Sequence, residues 1–362
     1  MRIILTGGGT MGAVYPLLAI KEAMEAKGVQ AKFLFVGTRD GIEKDIIERE
    51  NILYEGISAG KFRRYFSLEN LATPFQVVRG LFQSLSIIKE FNPDLVISVG
   101  GFVSVPVIWA ASFRSKKIII HQQDIKTGLS NLLTAKMATK ITCAFAKSTK
   151  SFPKDKAVLI GNPVRKSILE GEKERGMINL GLDSRIPTLF VLGGSSGSEF
   201  LNNLMMESLT RLIDFCQIIH ITGKGNSFEW ADREKFGDKS ERYHQYEYLY
   251  DEMADAYAAS DLVVSRAGLS TLTELTYLQK ASIIIAIPDH QQEENAVYFA
   301  SKNAIMQLDQ NKTSADDFVS LTQDLLENKN SLDRLGQNIN AMMKLDANEK
   351  FVELIEEMVK HS

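Results

Sequence analysis

Glycine-rich loops follow two segments that have the composition of β-strands, and loops of this kind bind anions. Residues 7–12 read Gly-Gly-Gly-Thr-Met-Gly after a strand predicted at 3–6, and residues 193–198 read Gly-Gly-Ser-Ser-Gly-Ser after one at 188–192. Glycine lets the backbone approach a phosphate closely, and the first N–H groups of the next helix point at it. Both loops could therefore hold a phosphate-bearing ligand.

The first loop also fits the G-x-G-x-x-G fingerprint of dinucleotide-binding proteins, through Gly7, Gly9 and Gly12. Those proteins carry an acidic residue near the end of the second strand, where it binds the ribose. Here that stretch reads Phe-Val-Gly-Thr-Arg and ends at Arg39. The sequence therefore disfavours an NAD-dependent enzyme, and Arg39 gives weak support to an NADP-dependent one.

Two further polar clusters in the second half follow predicted strands, where open α/β sheets bind their ligands. Residues 265–271 are small or polar and lead to Glu274 one helical turn later, whereas residues 289–295 carry several amides. Small residues at a helix start suit a diphosphate, a carboxylate suits ribose hydroxyls, and amides suit the hydroxyls of a sugar because they both donate and accept. The alternatives are a solvated Glu274 and amides that cap a helix.

Parallel sheets must position these loops, and the sequence predicts such sheets. Short β-rich runs alternate with helical patterns, which is typical of βαβ units. The predicted strands are 3–6, 32–36, 95–99, 117–121, 157–160, 188–192, 217–222, 262–265 and 282–287, and the predicted helices include 15–27, 42–50, 201–212 and 270–277. Because the second half repeats the opening of the first, we predict an α/β fold with two Rossmann-like parallel-sheet domains.

The net charge of −3 hides two oppositely charged halves. Residues 1–165 carry 23 Lys and Arg against 13 Asp and Glu, whereas the remaining residues carry 19 against 32. The sign changes near Gly161-Asn162-Pro163, which predicts a domain boundary there. We therefore expect a first domain at 1–163, a second at 164–346 and a closing helix at 347–362 that packs back on the first domain. Such asymmetry is informative about partners rather than about the fold.

Composition excludes several other classes of protein. With 44% hydrophobic and 24% charged residues, the chain is an ordinary folded protein rather than a disordered one. Cys143 and Cys216 lie outside any C-x-x-C spacing, so we expect buried thiols and neither a disulfide framework nor a thiolate zinc site. The start shows no secretory signal. The uncharged stretch 95–113 is interrupted by Gly100, Gly101 and Pro106, so a membrane-spanning helix is disfavoured.

Ordered motifs extend over nearly the whole chain. They are Gly8-Gly9-Thr10-x-Gly12 with Pro16, Gly100-Gly101-Phe102-Val103-Ser104 with Pro106, His121-x-Gln123 with Gly128-Leu129 and Asn131, Gly161-Asn162-Pro163-Val164-Arg165, Gly193-Gly194-Ser195, Arg266-x-Gly268 with Thr271 and Glu274, and Gln291-Gln292-x-x-Asn295-Ala296. Together they resemble the MurG family of GT-B glycosyltransferases. These inverting enzymes transfer N-acetylglucosamine from its UDP donor to the lipid-linked muramyl-peptide precursor of peptidoglycan. The resemblance implies two Rossmann-like domains that face a cleft.

The resemblance also implies which residues bind each substrate. UDP-N-acetylglucosamine would lie on the second domain, with its diphosphate, ribose and sugar held by Arg165, Ser195, Leu269, Ser270, Thr271, Glu274, Gln291, Gln292 and Asn295. The lipid-linked pyrophosphoryl acceptor would lie on the first domain, against Gly8, Gly9, Thr10, Gly12, Gly100, Gly101, Phe102, Gln123 and Asn131. No D-x-D carboxylate pair accompanies the donor motifs, so we expect no metal, and no cofactor besides the substrates.

The acceptor side departs from the family pattern. The family's G-G-T-G-G-H loop has Met11 and Ala13 at its fourth and sixth positions here, its tyrosine is Phe102, and its H-E-Q-N segment ends in Asp124. Inverting transfer needs a base within hydrogen-bond reach of the acceptor hydroxyl. Because Ala13 cannot serve, our hypothesis is that Asp124 is the base and that His121 orients it. The alternative is that Asp124 caps the following helix.

Two other functions stay open at this point. They are a related transferase with another lipid-linked acceptor, and a non-catalytic UDP-sugar-binding protein that has lost its base. For the basic first half we expect an anionic membrane surface as partner, rather than nucleic acid, because no recognition motif accompanies the charge. The mixed apolar and basic stretch 62–82 is typical of an interfacial segment, or of a core-packed helix with a solvated basic face. We therefore expect peripheral attachment at the cytoplasmic face of the plasma (inner) membrane.

Overall fold

The computed structural model describes residues 1–60, 69–194, 197–230 and 233–360, with side chains except those of residues 69–74. Its strands are β1 (Arg2–Thr6), β2 (Lys32–Thr38), β3 (Leu53–Ile57), β4 (Leu95–Ser98), β5 (Lys117–Gln122), β6 (Lys140–Cys143), β7 (Ala157–Leu159), β8 (Thr188–Leu192), β9 (Gln217–Ile221), β10 (Tyr243–Tyr246), β11 (Leu262–Ser265), β12 (Ser282–Ile285) and β13 (Met306–Leu308). All of their pairings are parallel, which confirms the predicted fold class.

The α-helices connect successive strands and cover the sheets. They are α1 (Tyr15–Ala26), α2 (Lys44–Arg49), α3 (Glu69–Phe91), α4 (Ser104–Phe113), α5 (Leu129–Thr134), α6 (Ala146–Thr149), α7 (Lys166–Leu169), α8 (Lys173–Asn179), α9 (Glu199–Leu212), α10 (Met253–Ala259), α11 (Leu269–Tyr277), α12 (Gln291–Ala300), α13 (Ala315–Glu327), α14 (Lys329–Asn340) and α15 (Ala347–Lys360). Short 3-10 helices occupy Met11–Ala13 and Ala135–Met137, and two more, separated by a kink at Gly237, lie within Arg233–Arg242. Among the described residues, no helix is both long and apolar enough to cross a membrane.

The first unit comprises residues 1–165 and 343–362 and contains a seven-stranded sheet in the order β3-β2-β1-β4-β5-β6-β7. One face of this sheet packs against α1 and α15, whose buried Phe351 and Ile355 belong to the same apolar core as Ile3 and Leu17. The other face packs against α3, α4 and the segment after α5. The closing helix is therefore part of the core of this first unit.

The second unit comprises residues 166–342 and contains a six-stranded sheet in the order β10-β9-β8-β11-β12-β13. Helices α9 and α13 bury their apolar sides against one face of it, around Leu189, Val264 and Phe318. The central strands β8, β11 and β12 are fully buried. Central parallel strands read as continuous apolar runs for this reason, which made them easy to find in the sequence.

All nine predicted strands are present with ends within two residues, whereas β3, β6, β10 and β13 were not predicted. Three of these four lie at sheet edges, where one flank faces away from the core. β13, for example, is largely exposed and β10 is half-buried along its length. Edge strands of this kind lack the continuous apolar run that marks a central one.

Candidate active site

Three loops of the second unit converge because the strands that precede them are neighbours. β8, β11 and β12 lie side by side, so the loops that follow them leave the sheet at one edge. These loops contain the predicted donor clusters, except that Ser195 lies outside the described residues. A cavity of about 420 Å³ opens here and is lined by residues from all three loops. A larger one, of about 580 Å³, lies at the opposite ends of the strands, away from the edge where open α/β sheets bind ligands.

The side chain of Arg266 ties these loops together. Its Nε donates to Ser198 Oγ at 3.0 Å, and its Nη1 donates to the carbonyls of Ile285 and Ala286 at 3.0 and 3.3 Å. Nη1 also donates to Gln310 Oε1 at 2.7 Å, in the loop after β13. One guanidinium therefore fixes the loops that follow four neighbouring strands.

Arg266 is buried, and its hydrogen bonds to described residues go to neutral oxygens rather than to a carboxylate. Burial lowers the pKa of its guanidinium, which nevertheless stays charged. The guanidinium lies 5.5 Å from the ring centroid of Phe200 and lines the cavity. A buried cation whose charge no carboxylate neutralises suits an anionic ligand such as a phosphate. Arg266 belongs to a sequence motif that gave it no role, and Ser198 belongs to the predicted loop 193–198, whereas no sequence signal marked Gln310.

Helix α11 places the predicted phosphate and ribose groups side by side. Its N-cap is Gly268, which has no side chain to cap the helix. The first turn contains Leu269, Ser270 and Thr271. The first N–H groups of a helix have no acceptor within the helix and can bind an anion. One turn on, Glu274 is buried and its Oε2 accepts a hydrogen bond from the hydroxyl of Tyr257 at 2.9 Å. Glu274 is therefore a held carboxylate rather than a solvated helix residue.

The amides of helix α12 have different positions. Gln292 lines the cavity, and its buried Oε1 has no hydrogen-bond partner among the described residues. Gln291 is half-buried at the helix start, and His290, rather than either glutamine, is the side chain that caps the helix. Asn295 is fully buried and donates to the carbonyl of Ala267 at 3.2 Å. Asn295 therefore also holds the loop before α11, and its predicted sugar contact stays a prediction.

In the first unit, the loops after β1, β4 and β5 meet in the same way, because these strands are neighbours. A Cβ on Gly101, which has a φ of +86°, would lie 2.6 Å from the carbonyl oxygen of Gly8. Only glycine therefore fits where the two loops touch. Gly9 and Thr10 are exposed at the first loop, and Phe102 is exposed at the second.

The altered residues of the first loop turn inward. Met11 and Ala13 are buried, and Met11 packs into the apolar core with Val14 and Leu17. The extra side chain therefore fills the core rather than the loop. Ala13 leaves its position without a polar group.

Several buried oxygen atoms beside these loops have no hydrogen-bond partner among the described residues. Asn131 donates through Nδ2 to the carbonyl of His121 at 3.1 Å and to Gln122 Oε1 at 2.8 Å, but its Oδ1 is unpaired. Gln123 Oε1 and Thr127 Oγ1 are also unpaired. Leaving a buried polar group unsatisfied costs about 1–3 kcal/mol. This edge of the sheet is therefore suited to a polar ligand, and Thr127 was missed in the sequence.

Glu43 is a second residue that the sequence did not single out. It is fully buried beside the first glycine loop, and its Oε1 accepts from the backbone N–H of Thr38 at 2.9 Å. A Cβ on Gly8 would lie 2.6 Å from this oxygen, and Oε2 is unpaired among the described residues. Glu43 belongs to a predicted helix with no motif around it, so no sequence signal marked it.

Asp124 follows β5 and is half-buried. Its backbone carbonyl accepts from Gln122 Nε2 at 2.8 Å and from Ser148 Oγ at 3.1 Å. The N-cap of α5 is Gly128, so Asp124 does not occupy the capping position of that helix. The capping alternative is therefore wrong, and the hypothesis that Asp124 is the base stays a prediction.

His121 does not orient Asp124, so that part of the hypothesis is wrong. Its ring is fully buried, with Nδ1 2.9 Å from Thr142 Oγ1 and Nε2 2.7 Å from Asn162 Oδ1. The ring also packs edge-on against Phe351 of α15. Both nitrogens are therefore engaged in holding β6 and the Gly161–Pro163 stretch, and burial lowers the pKa of His121 to about 4.

Arg165 belongs to the first unit and is the last residue of its first segment, directly before α7. Its guanidinium carbon lies 4.0 Å from the ring centroid of Tyr15, the first residue of α1. Its predicted donor role stays a prediction.

The buried His121 predicts a pH dependence of stability. Because its pKa is about 4 in the folded state and about 6.5 when unfolded, the unfolded chain takes up a proton first as the pH falls. The stabilisation is complete above pH 6.5 and declines toward pH 4, by about 2 kcal/mol between pH 7 and pH 5. Urea unfolding of His121→Gln should lose this part of the pH dependence. An equal loss in both proteins would contradict it.

Comparisons with known proteins identify the family of this chain. Residues 3–143 match the model of the glycosyltransferase family 28 N-terminal domain, and residues 188–358 match that of the glycosyltransferase family 28 C-terminal domain. The chain is 42% identical, over 79% of its length and 78% of the relative, to the UDP-N-acetylglucosamine--N-acetylmuramyl-(pentapeptide) pyrophosphoryl-undecaprenol N-acetylglucosamine transferase of Clostridium botulinum (strain Langeland). A protein of the same name from Lachnospira eligens is 41% identical over the same share of each chain.

The fold has a counterpart among solved structures. The crystal structure of Acinetobacter baumannii MurG superposes with a TM-score of 0.74 at 23% identity and covers 98% of this chain and 99% of that one. The two parallel-sheet units thus have the GT-B fold. With its identity to curated relatives over most of its length and both family 28 domains matched in order, the chain belongs to the MurG family of N-acetylglucosamine transferases.

Proposed function

We propose that this chain transfers N-acetylglucosamine from UDP-N-acetylglucosamine to a muramyl-peptide on a polyprenyl pyrophosphate, the reaction for which its relatives are named. The observation that carries the proposal in this chain is the buried, charged Arg266 at the convergence of the loops after β8, β11 and β12. Both substrates are consumed in the reaction, and the proposal includes no further cofactor.

The second unit would bind the donor. Arg266 and the first N–H groups of α11 would bind the diphosphate and stabilise the negative charge that develops as UDP leaves. Ser195 and Arg165 complete the proposed diphosphate contacts. Glu274, which Tyr257 holds in place, would accept hydrogen bonds from the ribose hydroxyls.

The sugar contacts and the acceptor would lie next to these groups. Gln291 and Gln292 would bind the hydroxyls of N-acetylglucosamine, because an amide both donates and accepts. In the first unit, the glycine loops would bind the acceptor pyrophosphate through their N–H groups, beside the unpaired oxygens of Gln123 and Asn131. Asp124 would take the proton of the attacking hydroxyl. At the same step the hydroxyl oxygen bonds to the anomeric carbon and the bond from that carbon to UDP breaks.

Release of UDP tests the transfer reaction directly. We expect purified protein to release UDP from UDP-N-acetylglucosamine when a lipid-linked muramyl-pentapeptide acceptor is present, with little release in its absence. Release that needs a different lipid-linked acceptor would identify the related-transferase alternative. Binding of UDP-N-acetylglucosamine with no release on any such acceptor would instead favour the non-catalytic protein that Ala13 raises as an alternative.

The substitution Asp124→Asn tests the proposed base. Removing a general base slows the chemical step by about 10²- to 10⁴-fold, so kcat should fall by that factor. Calorimetry should show unchanged affinity for UDP-N-acetylglucosamine, because Asp124 belongs to the first unit. The matched control is Asp155→Asn, an exposed aspartate of the same unit, which should keep wild-type kcat. Wild-type turnover in Asp124→Asn would assign the base to another group.

We further propose that the first unit attaches peripherally to an anionic membrane surface, at its cytoplasmic face. Helix α3 packs Leu81, Leu85 and Ile88 against the core, but exposes Phe75 (80%) and Phe82 (67%). The solvated face of this helix is therefore apolar as well as basic. The first unit carries 26 Lys and Arg against 18 Asp and Glu, and cations near an anionic leaflet each contribute about 1 kcal/mol. The basic residues of 61–68 lie outside the described residues.

The double variant Phe75→Gln/Phe82→Gln tests this attachment. Two phenyl rings contribute several kcal/mol when buried in an apolar phase, so their loss should weaken binding to anionic vesicles by at least about tenfold. Cosedimentation with anionic and with neutral vesicles measures the effect. Ile178→Gln is the matched control, because Ile178 is equally exposed on the second unit and should leave binding unchanged. Equal binding of wild type and double variant would contradict the proposal.

A further inference from the structure

Helix α5 is amphipathic in the reverse of the usual sense. Its polar residues Asn131 and Thr134 are buried, whereas Leu129, Leu132 and Leu133 are 55%, 46% and 52% exposed. These three leucines, at positions i, i+3 and i+4, share one side of the helix. We call them the leucine face.

The buried polar side explains this orientation. Asn131 donates to the carbonyl of His121 and to Gln122, and Thr134 Oγ1 donates to the carbonyl of Ser130 at 2.8 Å. Turning the leucines inward would break the two bonds from Asn131 to β5. The three leucines are therefore exposed to solvent because Asn131, on the other side of the helix, is buried beside the proposed acceptor loops.

The leucine face begins beside the glycine loop that follows β4. A Cβ on Gly100 would lie 3.0 Å from Asn131 Oδ1 and 3.2 Å from Ser130 Oγ, so the first turn of α5 abuts this loop. The exposed Phe102 follows two residues later in the same loop. An apolar surface thus starts where the pyrophosphate of the acceptor is proposed to bind.

The helix with the leucine face and the helix with the proposed membrane contact are both neighbours of α4. Helix α4 contacts both α3 and α5, and α3, α4 and the segment after α5 cover the same face of the sheet. Phe75 and Phe82 of α3 and the leucine face of α5 therefore flank a single buried helix. An apolar group that leaves the glycine loop can pass along α5 toward the bilayer.

We propose that the leucine face binds the part of the acceptor's polyprenyl chain nearest the pyrophosphate. This inference rests on the proposed function. The isoprenoid is bonded directly to a phosphate oxygen, so its apolar part begins within one residue's length of the phosphates and needs an apolar wall at that distance. A second copy of the chain is the poorer occupant, because stable dimers bury about 800 Å² per partner, more than three leucines on a six-residue helix supply.

The double variant Leu132→Gln/Leu133→Gln tests the inference with two acceptors that share one head group. One acceptor carries a long polyprenyl chain and the other a short, water-soluble chain, and UDP release in detergent measures kcat/KM for each. The wild type should have the higher kcat/KM for the long chain. In the variant, the ratio of kcat/KM for the long chain to that for the short chain should fall about tenfold, because KM for the long chain rises while kcat is unchanged. Because both leucines are half-exposed, its melting temperature should match the wild type. Ile178→Gln should keep the wild-type preference.

Direct binding separates this inference from the transfer reaction. Polyprenyl pyrophosphate without any sugar should bind the double variant about tenfold more weakly than the wild type, whether or not either protein turns over donor. An unchanged affinity together with an unchanged chain-length preference would overturn the inference. So would a loss of binding to acceptor-free vesicles as large as in Phe75→Gln/Phe82→Gln, which would make the leucine face a bilayer contact. A wild-type dimer that the variant abolishes would make it a subunit interface. No UDP release by wild type on any acceptor would overturn the proposed function alone.

Discussion

The hydrogen bonds of the buried guanidinium of Arg266 are the interaction on which the proposed donor site depends. Its hydrogen bonds join the loops after β8, β11, β12 and β13, so four chain segments share one anchor. Burying a cation without a carboxylate costs free energy, because neutral oxygens replace water only in part. That cost leaves the positive charge available to a diphosphate. Gln310, Ser198 and the strand-end carbonyls thus hold Arg266 in place without cancelling its charge.

The acceptor loops meet a different requirement. In the described part of the first unit, the loops after β1, β4 and β5 bring together close backbone contacts and unpaired oxygens rather than a buried cation. Gly8 and Gly101 touch through their backbones, and Asn131 Oδ1 and Gln123 Oε1 face no described partner. Backbone N–H groups donate to anions, whereas these oxygens accept from hydroxyl and amide groups. A ligand with both phosphates and a sugar-peptide offers both kinds of group.

How far the sequence predicted this structure depended on whether the deciding contacts were local. Apolar runs identified the central strands except β6, and their order along the chain, with glycine loops at their ends, was enough to predict the fold and the proposed donor loops. The role of His121 could not be predicted, because its partners Thr142 and Asn162 lie 21 and 41 residues away and take both ring nitrogens. Met11 likewise entered the core rather than the loop. Glu43 acquires its position only when Gly8 and Thr38 come together.

Helix α5 shows the same limit most clearly. Its apolar residues have helical spacing, but the side of the helix that they share is exposed rather than buried. Leu-Ser-Asn-Leu-Leu-Thr has apolar residues at helical spacing, which predicts that the leucines face the core. The hydrogen bonds that Asn131 makes to β5 decide otherwise, and they come from a different segment of the chain. A pattern of apolar residues therefore fixes which residues share a side, whereas the polar partners fix which side is buried. In α5 the buried polar side lies at the proposed acceptor site, which leaves the exposed leucines for the apolar part of the proposed ligand.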